Sequence, residues 1–110
     1  MEIAETKKNG VVVLSVDGRV DASNAAILEQ KILAVIAAGE NLLVIDCARL
    51  EYMSSAGLRV LLIAAKRLAN TGKLGVASLN NQIREVFDIA GFSSIFQIYG
   101  TQDEAVAALQ

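Results

Sequence analysis

The stretch that decides the fold is Leu43-Val44-Ile45-Asp46-Cys47-Ala48-Arg49-Leu50-Glu51-Tyr52-Met53-Ser54-Ser55-Ala56-Gly57-Leu58-Arg59-Val60-Leu61-Leu62. It opens on a continuous apolar run that stops at Asp46, the pattern of a central parallel strand buried on both faces. A short connection follows, carrying two adjacent hydroxyls, and then the start of an amphipathic helix. A serine at the mouth of a helix has two uses. Its oxygen can cap the helix by accepting from a free backbone N–H. It can also carry a phosphate, because the same N–H groups and the helix dipole favour negative charge.

Upstream, residues 3–8 and 11–16 flank Asn9-Gly10, a strong hairpin signal because both positions tolerate positive φ. Val11-Val12-Val13-Leu14-Ser15-Val16 is apolar at nearly every position, which predicts a strand covered on both faces. The first arm, with Glu5, Lys7 and Lys8, reads as a charged edge strand. Asp21, Ser23 and Asn24 can each cap a first helix that runs to about Ala38. Leu28, Ile32, Val35 and Ile36 sit at core-facing spacing on it, and Gly39 stops it.

Downstream, the second helix starts at the serines and runs to about Asn70, with Leu58, Leu61, Leu62 and Ala65 in one stripe. Leu74-Gly75-Val76-Ala77 is a further strand. Asn80 or Asn81 caps a third helix whose Ile83, Val86, Phe87 and Ala90 fit the apolar template, and Gly91 ends it. Ile95-Phe96-Gln97-Ile98 reads as a short last strand. Thr101-Gln102-Asp103-Glu104 matches a capping box before a final helix carrying Ala105, Val106, Ala108 and Leu109. Alternation of this kind predicts an α/β fold: a small mixed, mostly parallel sheet with an N-terminal β-hairpin, covered by about four helices. Residues 1–110 are expected to form one domain.

Composition narrows the function. The chain is 54 % hydrophobic but only 5 % aromatic, so the core is aliphatic. Net charge is −2 and no run of Lys or Arg exceeds two residues, which argues against direct nucleic-acid binding. No apolar run approaches the ~20 residues of a membrane span, and the polar N-terminus does not resemble a signal peptide. The single cysteine, Cys47, excludes an internal disulfide and a CxxC metal site, and the expected location is the cytosol.

Histidine is absent, which removes the commonest general base and the commonest metal ligand together. Met53-Ser54-Ser55-Ala56-Gly57 lacks the first glycine of a G-x-S-x-G elbow, and no glycine-rich phosphate loop occurs. Asp17, Asp21 and Asp46 could gather at one end of the sheet around a divalent cation, although turn and cap duties explain each of them. Cys47 reads as a small core side chain. Arg59, Ile63, Lys66 and Arg67 share one face of the second helix, and an apolar residue bordered by cations is a feature of interaction patches. No catalytic residue, metal site or cofactor is expected. The weight falls on binding or regulation.

Val44-Ile45-Asp46 through Met53-Ser54-Ser55-Ala56-Gly57-Leu58 resembles the signature of the STAS domain, as in bacterial anti-sigma factor antagonists. Gly18-Arg19-Val20-Asp21 is similar to that family's motif before the first helix, and Ala90-Gly91-Phe92 with Ile95-Phe96-Gln97-Ile98-Tyr99 to its closing segment. The resemblance implies that the unmodified protein binds an anti-sigma factor that is also a serine kinase. Phosphorylation ends the binding, and a serine phosphatase restores it. Anchoring on Gly57-Leu58 places the phosphorylated position at Ser55, with Ser54 the second choice. Ser54 stands where antagonists usually carry Asp. The docking surface implied by these matches comprises Asp21, Ser54, Ser55 and Gly57, extended along the helix by Arg59 and Ile63. The alternative is a STAS adaptor subunit, never phosphorylated, in a transporter or stress-signalling complex.

Overall fold

A computed structural model describes residues 1–110. The hairpin forms where Asn9-Gly10 requires it: β1 (Glu2–Lys8) and β2 (Val11–Val20) pair antiparallel, with Lys8 opposite Val11 and φ of 53° and 83° at the two turn residues. β2 is long enough to serve two partners. Its first half pairs in parallel with β3 (Leu42–Asp46), with Val13 opposite Val44. Its last residues pair in parallel with β4 (Leu50–Met53), beyond a register shift between Gly18 and Arg19. β5 (Lys73–Ala77) and β6 (Gln97–Tyr99) complete the sheet in the order β1-β2-β3-β5-β6, with β4 extending it beside the end of β2.

Two apolar layers explain why β2 and β3 are apolar on successive residues. Val12, Leu14, Val16, Leu43, Ile45 and Val76 face α1 (Ala25–Ala37), α2 (Ser55–Leu68) and α3 (Asn81–Ile89) within a core of 23 buried residues. Val11, Val13, Val44 and Ala77 point the other way and are sealed by Ala105, Val106 and Leu109 of α4 (Gln102–Leu109). The expected charged edge is present in β1, whose Glu5 and Lys7 form ion pairs with Lys31 and Glu40.

Several expectations are corrected. Residues 50–53, read as part of a connection, form β4: Leu50 and Met53 are buried while Glu51 and Tyr52 are exposed, a pattern too short to stand out in the sequence. The last strand is Gln97–Tyr99, not 95–98. The N–H groups of Ile95 and Phe96 instead bond the Phe92 carbonyl, closing the 3-10 turn Phe92–Ser94, and Phe96 turns into the core. Val86 and Ala90 are exposed, because α3 packs chiefly on β4 and that turn and buries only Ile83 and Phe87. Ala108 is likewise outside the core. Asn80, rather than Asn81, caps α3 by accepting from the Ile83 N–H at 2.8 Å.

Candidate functional site

The parallel pairing of β2 with β4 brings two helix starts to one end of the sheet. Val20 lies opposite Met53, so Asp21 and Ser54 are each the next residue past the last rung. The Ser54 N–H donates to the Val20 carbonyl at 2.9 Å and locks the two chain ends together. The turns leading into α1 and α2 therefore share one rim, and both helices rise from it.

At the head of α1 the three candidate caps divide the work. The Asp21 carboxylate accepts from the Ser23 N–H at 2.9 Å and from its hydroxyl at 2.5 Å. These bonds, the hydroxyl first, hold the Asp21 carboxyl below its ordinary pKa range, with Arg19 adding a weaker pull. Asn24 takes the cap position by backbone conformation, yet its side chain accepts from the Asp21 N–H and donates to the Arg19 carbonyl. It knits the turn rather than capping α1.

At the head of α2 the capping use of a helix-entry serine is not realised by either Ser54 or Ser55. Ser54 occupies the cap position in extended conformation, and Ser55 is the first helical residue, exposed to solvent. The Ser54 hydroxyl makes no cap bond, and its oxygen is enclosed without any partner. Removing a capping serine ordinarily costs ~1 kcal/mol. Here there is no bond to lose and a desolvated hydroxyl to relieve. Ser54→Ala should therefore leave stability unchanged or slightly raised, and a urea midpoint lower by the amount expected of a lost cap would contradict the geometry.

Gly57, expected at the docking surface, is instead buried. A Cβ there would lie 2.7 Å from Met53 Cγ and 2.9 Å from Val20 Cγ1. Its role is to let α2 descend onto the end of the β2–β4 pair and so fix the height of Ser55 above the rim. Arg59 is exposed one turn along, and Ile63 is half-buried outside the main core. Two features were missed in the sequence. Ile27, 58 % exposed near the start of α1, is apolar but off the Leu28–Ile32–Val35 stripe, which was the signal available. Arg19 lies over the ring of the 41 %-exposed Tyr52, 4.5 Å from its centroid, a pairing visible only once β4 is known.

The acidic trio does not form a cation site. Asp46 is 8 % exposed and accepts from the Ala48 N–H, Gln102 Nε2 and, at 3.5 Å, Ser15 Oγ. Asp17 joins it with Glu2 and Arg49 along an open pocket, while Asp21 stands at α1. No three metal-ligating side chains converge. Cys47 is buried behind β3; burial first, and the Asp46 charge second, push its thiol up to about 12, so it is protonated and inert. No helix is long and apolar enough to cross a membrane.

Comparison with known proteins places this geometry. The profile of the STAS domain matches residues 2–105. BtrV of Bordetella bronchiseptica, named as a candidate anti-sigma factor antagonist, is 40 % identical over the whole of this chain and 96 % of its own length. The anti-sigma-F factor antagonist RsfB of Mycobacterium tuberculosis is 31 % identical over 93 % of this chain and 84 % of its own. The crystal structure of an anti-sigma factor antagonist from Mycobacterium paratuberculosis superposes with a TM-score of 0.92 at 32 % identity, covering 98 % of this chain and 92 % of that one. With the two helix starts sharing one rim and Ser55 set upon it, the chain belongs to the STAS domain family, of the anti-sigma factor antagonist type.

Proposed function

We propose that the chain is an anti-sigma factor antagonist that acts as a single STAS unit in the cytoplasm by binding, not by catalysis. Its unphosphorylated form binds an anti-sigma factor that is also a serine kinase. Phosphorylation at Ser55 ends the binding, and a serine phosphatase reverses it. The observation that carries this reading is the contrast between the two serines: Ser55 is exposed at the first position of α2, whereas the Ser54 oxygen is enclosed. A kinase can reach the first without disturbing the fold. The N–H groups of Ser55, Ala56 and Gly57 precede the first α2 bond, from the Leu58 N–H to the Ser54 carbonyl, and have no carbonyl of the helix to bond. They favour a phosphate at this place.

The docking surface runs from Asp21 and Ser55 at the rim along the outward faces of Arg59 and Ile63. Ile63→Glu is expected to weaken anti-sigma factor binding at least tenfold while the melting temperature stays nearly constant, because Ile63 stands outside the core. A large drop in melting temperature would place it in the core instead. One observation favours the constitutive adaptor, namely Ser54 in place of the usual acid. Incubation with candidate serine kinases of the same organism and ATP, followed by mass spectrometric mapping, separates the two readings. Phosphate on Ser55 supports the switch; no phosphate on either serine with any of these kinases favours the adaptor.

A further inference from the structure

Arg19 and Tyr52 stand opposite each other near the end of the β2–β4 pairing. Val20 and Met53, which follow them, are buried in the main core, so Arg19 and Tyr52 point to the other face of the sheet. On that face α4 seals Val11 and Val13 of β2, and the pair stays exposed. The Arg19 guanidinium lies over the Tyr52 ring, 4.5 Å from its centroid. The ion pairs of the chain join Lys7 to Glu40, Lys31 to Glu5 and Arg84 to Asp88, and leave Arg19 without a carboxylate. Stacking occupies the flat face of a guanidinium and leaves its N–H edge free to donate two parallel bonds to a carboxylate.

The position of the pair names the partner. Asp21 and Ser54 are each two residues on from Arg19 and Tyr52, and Arg19 is close enough to Asp21 to favour its ionised carboxyl. The pair therefore continues the docking surface of Asp21 and Ser55 over the rim, from the α2 side to the sheet side. Tyrosine and arginine are the side chains that most often anchor interfaces, and an arginine already held against a ring loses less freedom on docking. Neither residue belongs to an apolar core, so the fold does not depend on them. On the antagonist reading, we propose that Arg19 and Tyr52 form a second anchor for the same anti-sigma factor, with Arg19 taking an aspartate or glutamate side chain of that partner. Ser55 sets whether the partner binds. The stacked pair sets which one binds, because a related anti-sigma factor without a carboxylate at that place would leave the guanidinium desolvated and unpaired.

The test titrates the full chain into the kinase that modifies Ser55 in the mapping above, with ADP in place of ATP so that the serine stays unmodified. Arg19→Glu and Tyr52→Ala are each expected to lower affinity tenfold or more, with melting temperatures within a few degrees of the parent. Arg19→Lys keeps the charge but not the planar fork, and should bind at least threefold more weakly. Arg19→Ala should flatten the dependence of affinity on salt, and combined with Tyr52→Ala it should lose less than the product of the two single losses. Parent-like binding by Arg19→Glu or by Tyr52→Ala would overturn the second anchor, as would tighter binding by Arg19→Glu. If phosphorylation of Ser55 or Ile63→Glu still weakens the complex in that case, the antagonist reading stands without it. If no candidate kinase binds the chain, that reading falls and the second anchor with it.

Discussion

Phosphorylation of Ser55 is expected to lower affinity for the anti-sigma factor a hundredfold or more, while the thermal midpoint moves by no more than a few degrees. The two effects differ because the same charge meets different surroundings. In the free protein the phosphate sits over the first turn of α2, which carries no acidic side chain of its own. A charge of about −1.5 to −2 at a helix N-terminus is favoured by roughly 0.3–1 kcal/mol. In the docked complex the phosphate adds bulk to the rim and must be desolvated or face like charge, at a cost of several kcal/mol. At ~1.4 kcal/mol per tenfold, a hundredfold loss requires less than 3 kcal/mol. Titration calorimetry on the two purified forms, with matched melting curves, checks both halves. Equal affinities would end the switch reading, and a large fall in midpoint would mean that the charge acts through the fold.

Gly72→Ala should be far more damaging to stability than its position in a surface turn suggests. A Cβ at residue 72 would lie 1.9 Å from the Asn41 carbonyl oxygen and 2.7 Å from its carbon. Both are backbone atoms and cannot swing aside. The same oxygen accepts from the Lys73 N–H at 2.8 Å, and the Asn41 side chain donates to the Thr71 carbonyl at 2.9 Å. Any shift that relieves the clash therefore strains the first rung of the β3–β5 pairing, Leu42 opposite Lys73. A loss of about 3 kcal/mol or more is expected, on the order of 10 °C in midpoint. Gly57→Ala is the milder comparison. The atoms in its way belong to the Met53 and Val20 side chains, and methionine can yield, so roughly 1–3 kcal/mol is expected. Chemical denaturation of both variants tests the order, and a Gly72→Ala protein as stable as the parent would refute the close approach to Asn41.

Much of the architecture was legible because each signal rested on local physics. Asn9-Gly10 set the hairpin, unbroken apolar runs marked β2 and β3 as buried on both faces, and Gly39 and Gly91 ended their helices in left-handed conformation. What was not legible depended on contacts between distant segments. β4 exists because Leu50 and Met53 find the end of β2, and four residues give no periodicity of their own. The helical template counted Val86 as core, but α3 packs chiefly on β4 and the turn after it and buries only Ile83 and Phe87. Both serines stand at the head of α2, where the sequence put them, and only the packing tells the enclosed Ser54 from the exposed Ser55. Gly57 was flagged by its motif and misread as surface, because a glycine in a signature does not say whether it faces a partner or its own fold.

The aromatic cluster of Phe87, Phe92 and Phe96, with ring centroids 5.4–6.2 Å apart, has a consequence for how the molecule opens. It is the chief clamp on a segment whose helix buries two residues and whose strand is three residues long at the sheet edge. Residues 80–100 are therefore expected to open as a unit at a lower free energy than the β2–β3–β5 centre. Amide exchange in α3 should proceed through this partial opening, while the central strands exchange only with global unfolding.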